Sequence, residues 1–233
     1  MKKSVMLTAD TIYNRRKLGR IVKLSLIILL LMLIVIYIIL QVVYSEGKFT
    51  VTLDSNETLK SGISIYESLN DQTPKRELQA QSIQFMDNIS QKWLPDDLDT
   101  TSEGSHNGKN YIAYTFYIEN QGSQELNYWY QMVIDDVIKN VDKAIRIMVY
   151  HNGEATVYAK ANELSGDAEK DTKIFRTDSD GTIILEERTN FKPGDRDRFT
   201  VVVWLEGDDP DCVDALIGGE LKMHMNITEE HIE

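Results

Sequence analysis

A single cysteine, Cys212, occurs in 233 residues, so no internal disulfide can form and any folded part must hold together by packing alone. Basic residues are also in short supply. Lys and Arg number 25 against 37 Asp and Glu, a formal net charge of −12. An acidic chain of this kind lacks the clustered positive charge that phosphate backbones require, which excludes nucleic acid as a partner. No H-E-x-x-H, no cysteine pair at zinc spacing, no G-x-S-x-G, no P-loop and no G-x-G-x-x-G is present. The four histidines, His106, His151, His224 and His231, fall in expected loops, at an outward strand position and in the tail. There is no internal repeat, and no stalk rich in Pro, Ser or Gly.

What charge there is lies unevenly. Residues 1–23 contain Lys2, Lys3, Arg15, Arg16, Lys17, Arg20 and Lys23 against Asp10 alone, a head of +6. Residues 24–43 carry no charge, and the remaining 190 residues hold the balance, −18. From Leu24 to Leu40 every residue is apolar except Ser25 and Tyr37. Extended to Tyr44, the segment makes a helix of roughly 31 Å, the thickness of a hydrocarbon core. Basic residues just before such a span stay cytoplasmic, so the sequence predicts a single-pass protein of the cell membrane with its C-terminal domain outside. The expected division is a basic cytoplasmic head (1–23), a transmembrane helix (24–44) and an extracytoplasmic domain (45–233). Val43 and Ser45 also fit positions −3 and −1 of a signal-peptidase site before Glu46. The unbroken apolar run exceeds an ordinary signal h-region, which favours an uncleaved anchor.

Beyond Tyr44 the sequence alternates between short β-prone runs and turn formers. Residues 48–53, 62–66, 110–119, 126–134, 144–150, 154–160, 182–186, 199–205 and 220–227 read as strands. In residues 110–119, Ile112, Tyr114, Phe116 and Ile118 share one face. His151-Asn152-Gly153 marks a hairpin, since Asn-Gly tolerates positive φ at both positions. A strand is expected over residues 78–85, followed by a helical turn near Ile89–Leu94, and residues 95–109 read as a loop. Val133, Val137 and Val141 recur every four residues behind Asp135 and Asp136, which predicts a short helix over 135–143. With no repeated βα alternation, the expected fold is mainly β. It is an antiparallel β-sandwich, jelly-roll or immunoglobulin-like, with one short helix, preceded by the transmembrane helix.

Two acidic groups can hold a hard cation. Glu206, Asp208, Asp209, Asp211 and Asp214 crowd one loop, WLEGDDPDCVD, where a bound calcium would relieve their repulsion; a solvated loop turned by Gly207 and Pro210 is the plain alternative. Asp178, Asp180, Gly181 and Glu187 match part of a calcium-loop pattern, although Arg176 stands at its first position. Acidic neighbours disfavour a Cys212 thiolate. The aromatic residues Tyr111, Tyr114, Phe116, Tyr117, Tyr128, Trp129 and Tyr130 can stack on a glycan, but strand alternation turns about half of them into the core. Asn56, Asn88 and Asn226 open the pattern of glycosylation acceptors.

Residues 110–122 (NYIAYTFYIENQG), 144–160 (AIRIMVYHNGEATVYAK) and 199–227 (FTVVVWLEGDDPDCVDALIGGELKMHMNI) together resemble membrane-anchored surface proteins of bacteria. More distantly, they are similar to the camelysin/TasA group of biofilm-matrix proteins. The resemblance implies a jelly-roll-type sandwich, secretion, and assembly into fibres by strand exchange. Camelysin's metalloprotease activity does not carry over, because this chain offers no recognisable zinc ligands. The long anchor also departs from the cleaved signals of the fibre-forming members.

The leading functional expectation is a non-enzymatic cell-surface or matrix module. It would bind an envelope or matrix protein, or itself, through sheet edges that accept an incoming strand. An envelope hydrolase or protease using Glu206, Asp208 and Asp211 as acid and base is the alternative from another class. A sensor or accessory subunit of a membrane complex is the third.

Overall fold

The computed structural model of the chain describes residues 2–43, 49–54 and 62–230. Lys48, Asn56, His231 and the Ser45–Glu46 junction lie outside them. The chain divides into two units, Met1–Ser45 and Glu46–Glu233.

The first unit is one helix, α1 (Lys2–Val43), of 42 residues. Its apolar stretch, Lys17–Ile38, is 22 residues long and wholly exposed, and by length and composition it can cross a bilayer as an anchor or serve as a signal sequence. Within the stretch Ser25 returns its hydroxyl to the Val22 carbonyl at 2.9 Å, so this polar side chain is satisfied inside the helix.

The second unit is mainly β. One sheet runs in the order β10 (Thr182–Phe191), β6 (Leu126–Ile138), β12 (Glu220–Glu230), β1 (Phe49–Asp54) and β3 (Glu77–Gln79). The other runs β2 (Ile63–Tyr66), β5 (Tyr111–Asn120), β11 (Arg196–Leu205), β7 (Ile145–His151), β8 (Glu154–Ala159) and β9 (Lys173–Ile174), with β4 (Gly104–Ser105) also against β5. Period-two alternation explains the central strands. Tyr114, Phe116 and Ile118 of β5 and Phe199, Val201 and Val203 of β11 join one common core with Tyr128, Tyr130 and Met132 of β6 and Met223, Met225 and Ile227 of β12. The alternate residues Ala113, Met148, Val202 and Trp204 face the other way, and Ile89, Leu94 and Leu98 cover them in a second, smaller cluster. The second sheet is therefore covered on both faces.

Three expectations are corrected. Both sheets are mixed rather than antiparallel, because β1 pairs β12 in parallel and β8 pairs β9 in parallel. A parallel neighbour needs a long crossover, and nearly the whole domain lies between β1 and β12. The short helix over 135–143 is absent: β6 continues to Ile138, and only a 3₁₀ turn, Val141–Lys143, follows. Asp135 is a bulge, since Met223 faces Ile134 while Lys222 faces Asp136. The extra residue flips the parity, turning Val137 rather than Asp136 to the core, while Val133 lies on the opposite face, so the four-residue spacing of valines marks no helix face. The strand expected over 78–85 is confined to β3, and Ser82–Asn88 continues outside any strand.

Candidate functional site

The acidic loop after β11 is organised around Trp204 and Arg146, which face each other across β11 and β7 on the outer side of their sheet. Glu206 is buried and serves as a brace. Its carboxylate accepts hydrogen bonds from the Trp204 indole N–H (2.9 Å), the Gln91 backbone N–H (3.0 Å) and the Asp208 backbone N–H (3.0 Å). Asp208 points outward, accepts from the Ser90 hydroxyl at 2.8 Å and lies 3.9 Å from Lys92. Asp209 is fully enclosed, with its Oδ2 2.5 Å from the Arg146 guanidinium, itself 5% exposed. Glu169, from the loop after β8, lies 3.8 Å from the same guanidinium.

Of the five carboxylates singled out in sequence, then, the structure brings together two, Asp209 and Asp211. Glu169 joins them, with all three ligand oxygens within 4.8 Å of one another. Arg146 places a permanent positive charge among them, the charge a cation would otherwise supply. Glu206 and Asp208 turn toward Ser90–Lys92 instead, and Asp214 opens a 3₁₀ turn, Asp214–Leu216, away from the cluster. Neither Arg146 nor Glu169 was signalled in the sequence. The first sits in a strand at an outward position, and the second in a polar loop distant in sequence. The second acidic pattern is dispersed: Asp178 pairs with Arg176, Asp180 accepts from Thr182, and Glu187 accepts from Asn127.

A second buried charge lies between the sheets. Asp197, at the start of β11, accepts from the Tyr128 hydroxyl (2.5 Å), the Asn152 amide (2.7 Å) and Arg188 Nε (3.1 Å), and lies 3.2 Å from His151 Nε2. Burial alone would push this carboxyl up, but the contacts with His151, Tyr128 and Asn152 outweigh it and bring it down to about 2. His151 also stacks on Phe199 with ring centroids 4.5 Å apart. The cluster seals one end of the common core. Asn152 and Gly153, both at positive φ, form the hairpin that brings His151 and Asn152 to it.

The other end of the core is open. A cleft of about 420 Å³ enters between the sheets, floored by Ile112, Ile145, Val203 and Leu205 on one side and by Phe49 and Met223 on the other. Its lips come from residues 83–88 and 212–221. Phe85 (67% exposed), Val213 (53%) and Ile217 (66%) present apolar surface there, and the Asn88 amide meets the Cys212 sulfur at 3.5 Å where the two lips join. Burial, reinforced by Asp209 and Glu206, pushes the Cys212 thiol up, so it stays protonated at neutral pH. Asp214 lines the cleft, whereas Glu206, Asp208 and Asp211 do not. Elsewhere a shallow polar groove contains Glu67 and Glu103, which are engaged by Lys75 and Tyr114 and by Tyr117 respectively.

Of the aromatic set, Tyr114, Phe116, Tyr128 and Tyr130 are core residues, and the hydroxyls of Tyr114, Tyr117 and Tyr128 are spent on carboxylates. Comparison with protein-family models, curated proteins and solved structures finds no match to this chain.

Proposed function

We propose that the chain is a membrane-anchored interaction module: a β-sandwich of the jelly-roll or immunoglobulin-like kind, held outside the cell membrane by α1 and binding an envelope or matrix protein without catalysis. The seven basic residues up to Lys23, ahead of the uncharged run 24–43, support an inward N-terminus. One observation carries the binding reading, the contrast between the two ends of the common core. Ionic groups plug one end, while the other opens as an apolar cleft with exposed Phe85, Val213 and Ile217. Exposed apolar surface around a concave opening is the usual form of a binding site. The charged side chains buried among the described residues, Arg146, Asp197, Glu206 and Asp209, are all engaged within the fold. They support its architecture and do not line the cleft.

The sheet edges are less suited to docking. β2, β3 and β9 are only four, three and two residues long, and β10, the long edge, carries Glu186, Glu187 and Arg188. Short and charged edges resist the addition of a strand.

A photoreactive amino acid placed at Ile217 in living cells tests the reading, with the exposed Leu164 as the control position. A discrete protein adduct at 217 and none at 164 is expected. The same background of random neighbours at both positions would overturn the proposal.

A further inference from the structure

We infer that the cleft docks an apolar segment of the partner protein that is bracketed by Lys or Arg. This deepens the interaction-module reading and rests on it. Three exposed carboxylates, Asp87, Asp214 and Glu220, stand among the residues lining the mouth. None of them forms an ion pair among the described residues. Several other acidic groups near the surface do: Glu67 pairs with Lys75, Asp142 with Lys160, Glu163 with Lys143, and Glu119 with Arg196. The Lys139 ammonium reaches the lips but donates to the Ile217 carbonyl, and it forms no ion pair with these carboxylates among the described residues.

An apolar mouth that carries three carboxylates without ion pairs among the described residues favours a ligand of the complementary pattern, an apolar centre with positive ends. The acidic excess of the chain beyond residue 43 acts in the same direction at longer range and speeds the encounter with a cationic partner. It also disfavours anionic lipid headgroups as the occupant. Among the described residues the floor is apolar and has no buried polar side chain directed into it, so apolar side chains of the partner enter without leaving polar groups unpaired. The volume suits a few such side chains rather than a folded element.

The full chain in phosphatidylcholine nanodiscs serves for the test, with protein-free discs as the reference. Two labelled peptides are titrated, Lys-Lys-Leu-Phe-Ile-Leu-Lys-Lys and its counterpart with Glu in place of Lys. The Lys-flanked peptide is expected to bind about tenfold tighter or more, with the gap narrowing in high salt. The Asp214→Asn/Glu220→Gln double variant changes only exposed groups. It should weaken the Lys-flanked peptide about three- to tenfold and leave the Glu-flanked one unchanged or tighter. Ile217→Gln should weaken both. Equal affinities for the two peptides, or binding indifferent to Ile217→Gln, overturn the inference. So does a photoreactive group at position 217 that captures phosphatidylcholine and is not displaced by peptide, which assigns the cleft to lipid. The in-cell adduct separates the two levels. If it persists while the peptides fail, only the basic-flanked segment is wrong; if it is absent, the interaction-module reading falls with it.

Discussion

Replacing Asp197 by Asn probes the plug at the sealed end of the core. In the wild type Oδ1 accepts from Asn152, and Oδ2 accepts from Tyr128 and Arg188. Whichever way the new amide is turned, its NH₂ faces either the Asn152 amide or the Arg188 Nε–H, donor against donor. The Arg188 guanidinium also loses the buried carboxylate 3.1 Å away. Breaking a buried, hydrogen-bonded ion pair from one side costs about 3–5 kcal/mol, which a domain of ordinary stability survives in weakened form.

Part of that cost titrates. The folded Asp197 carboxyl lies at about 2, below the ordinary value of 3.8. A depressed folded value contributes stability that is present above the unfolded value and is lost as the pH falls through the folded one. The ionised form is thus worth about 2 kcal/mol at pH 7; about 1 of this is gone by pH 3 and nearly all by pH 2. The amide of the Asp197→Asn variant does not titrate, so the gap between wild type and variant should narrow by about 2 kcal/mol between pH 7 and pH 2. Urea unfolding of the full chain in nanodiscs, followed by the fluorescence of buried Trp204, measures it at each pH. A gap below about 1 kcal/mol at pH 7, or one that does not change with pH, would refute the account of this cluster.

Three further outcomes are expected. Arg146→Met should destabilise the domain by about 3–5 kcal/mol because Asp209 is left buried and uncompensated. Calcium should recover part of this in the variant, while the wild-type unfolding midpoint stays the same with calcium and with chelator; a wild-type shift would instead assign a cation to the acidic loop. Phe85→Ser should change stability by no more than about 0.5 kcal/mol, since its side chain is exposed, yet abolish the adduct formed from position 217. Gly181→Ala should cost more than Gly194→Ala in thermal unfolding. Both glycines are at positive φ, worth about 1–2 kcal/mol, but only at Gly181 would the new Cβ meet a backbone oxygen, that of Ile134, at 2.6 Å. Equal losses would refute that contact.

How legible each part was depended on whether its cause is local. The faces of β5, β7, β11 and β12 follow from alternation, because each strand's own residues carry the period, and Asn152-Gly153 announces its turn in the same way. Pairing direction has no local signature, so the parallel union of β1 with β12 was hidden. Around Asp135 the local pattern misled, since Val133 and Val137 stand at a helical spacing but the bulge leaves them on opposite faces of one strand. The candidate site was harder for the same reason. Alternation along β7 turns Arg146 away from the main core, but nothing near it in sequence foretells that Trp204 and the segment from Ile89 to Leu98 will enclose that outer face. His151 reads as a turn residue, and its burial against Phe199 and Asp197 depends on a strand that begins more than 40 residues away.

The difference between the two ends of the core bears on function because of what each costs. At the sealed end, enclosing Asp197 and Arg188 carries a desolvation penalty that apolar packing would avoid, and the return is a fixed relation between the sheets through Tyr128 and Arg188. At the open end, Leu216 and Val141 are buried, so the lip is anchored, yet Ile217, the next residue, is 66% exposed. Gly218, at positive φ, and Gly219 then turn the chain into β12, and a Cβ at Gly219 would lie within 2.9 Å of Val141, Ile138 and Leu216. The turn is therefore packed tightly on its inner side while it holds an apolar side chain out on its outer side. A lip serving only to close the core would gain by turning Ile217 inward, where burial is worth about 1.5–3 kcal/mol. Leaving that energy unused in a turn fixed by its own packing is what a surface awaiting a partner requires.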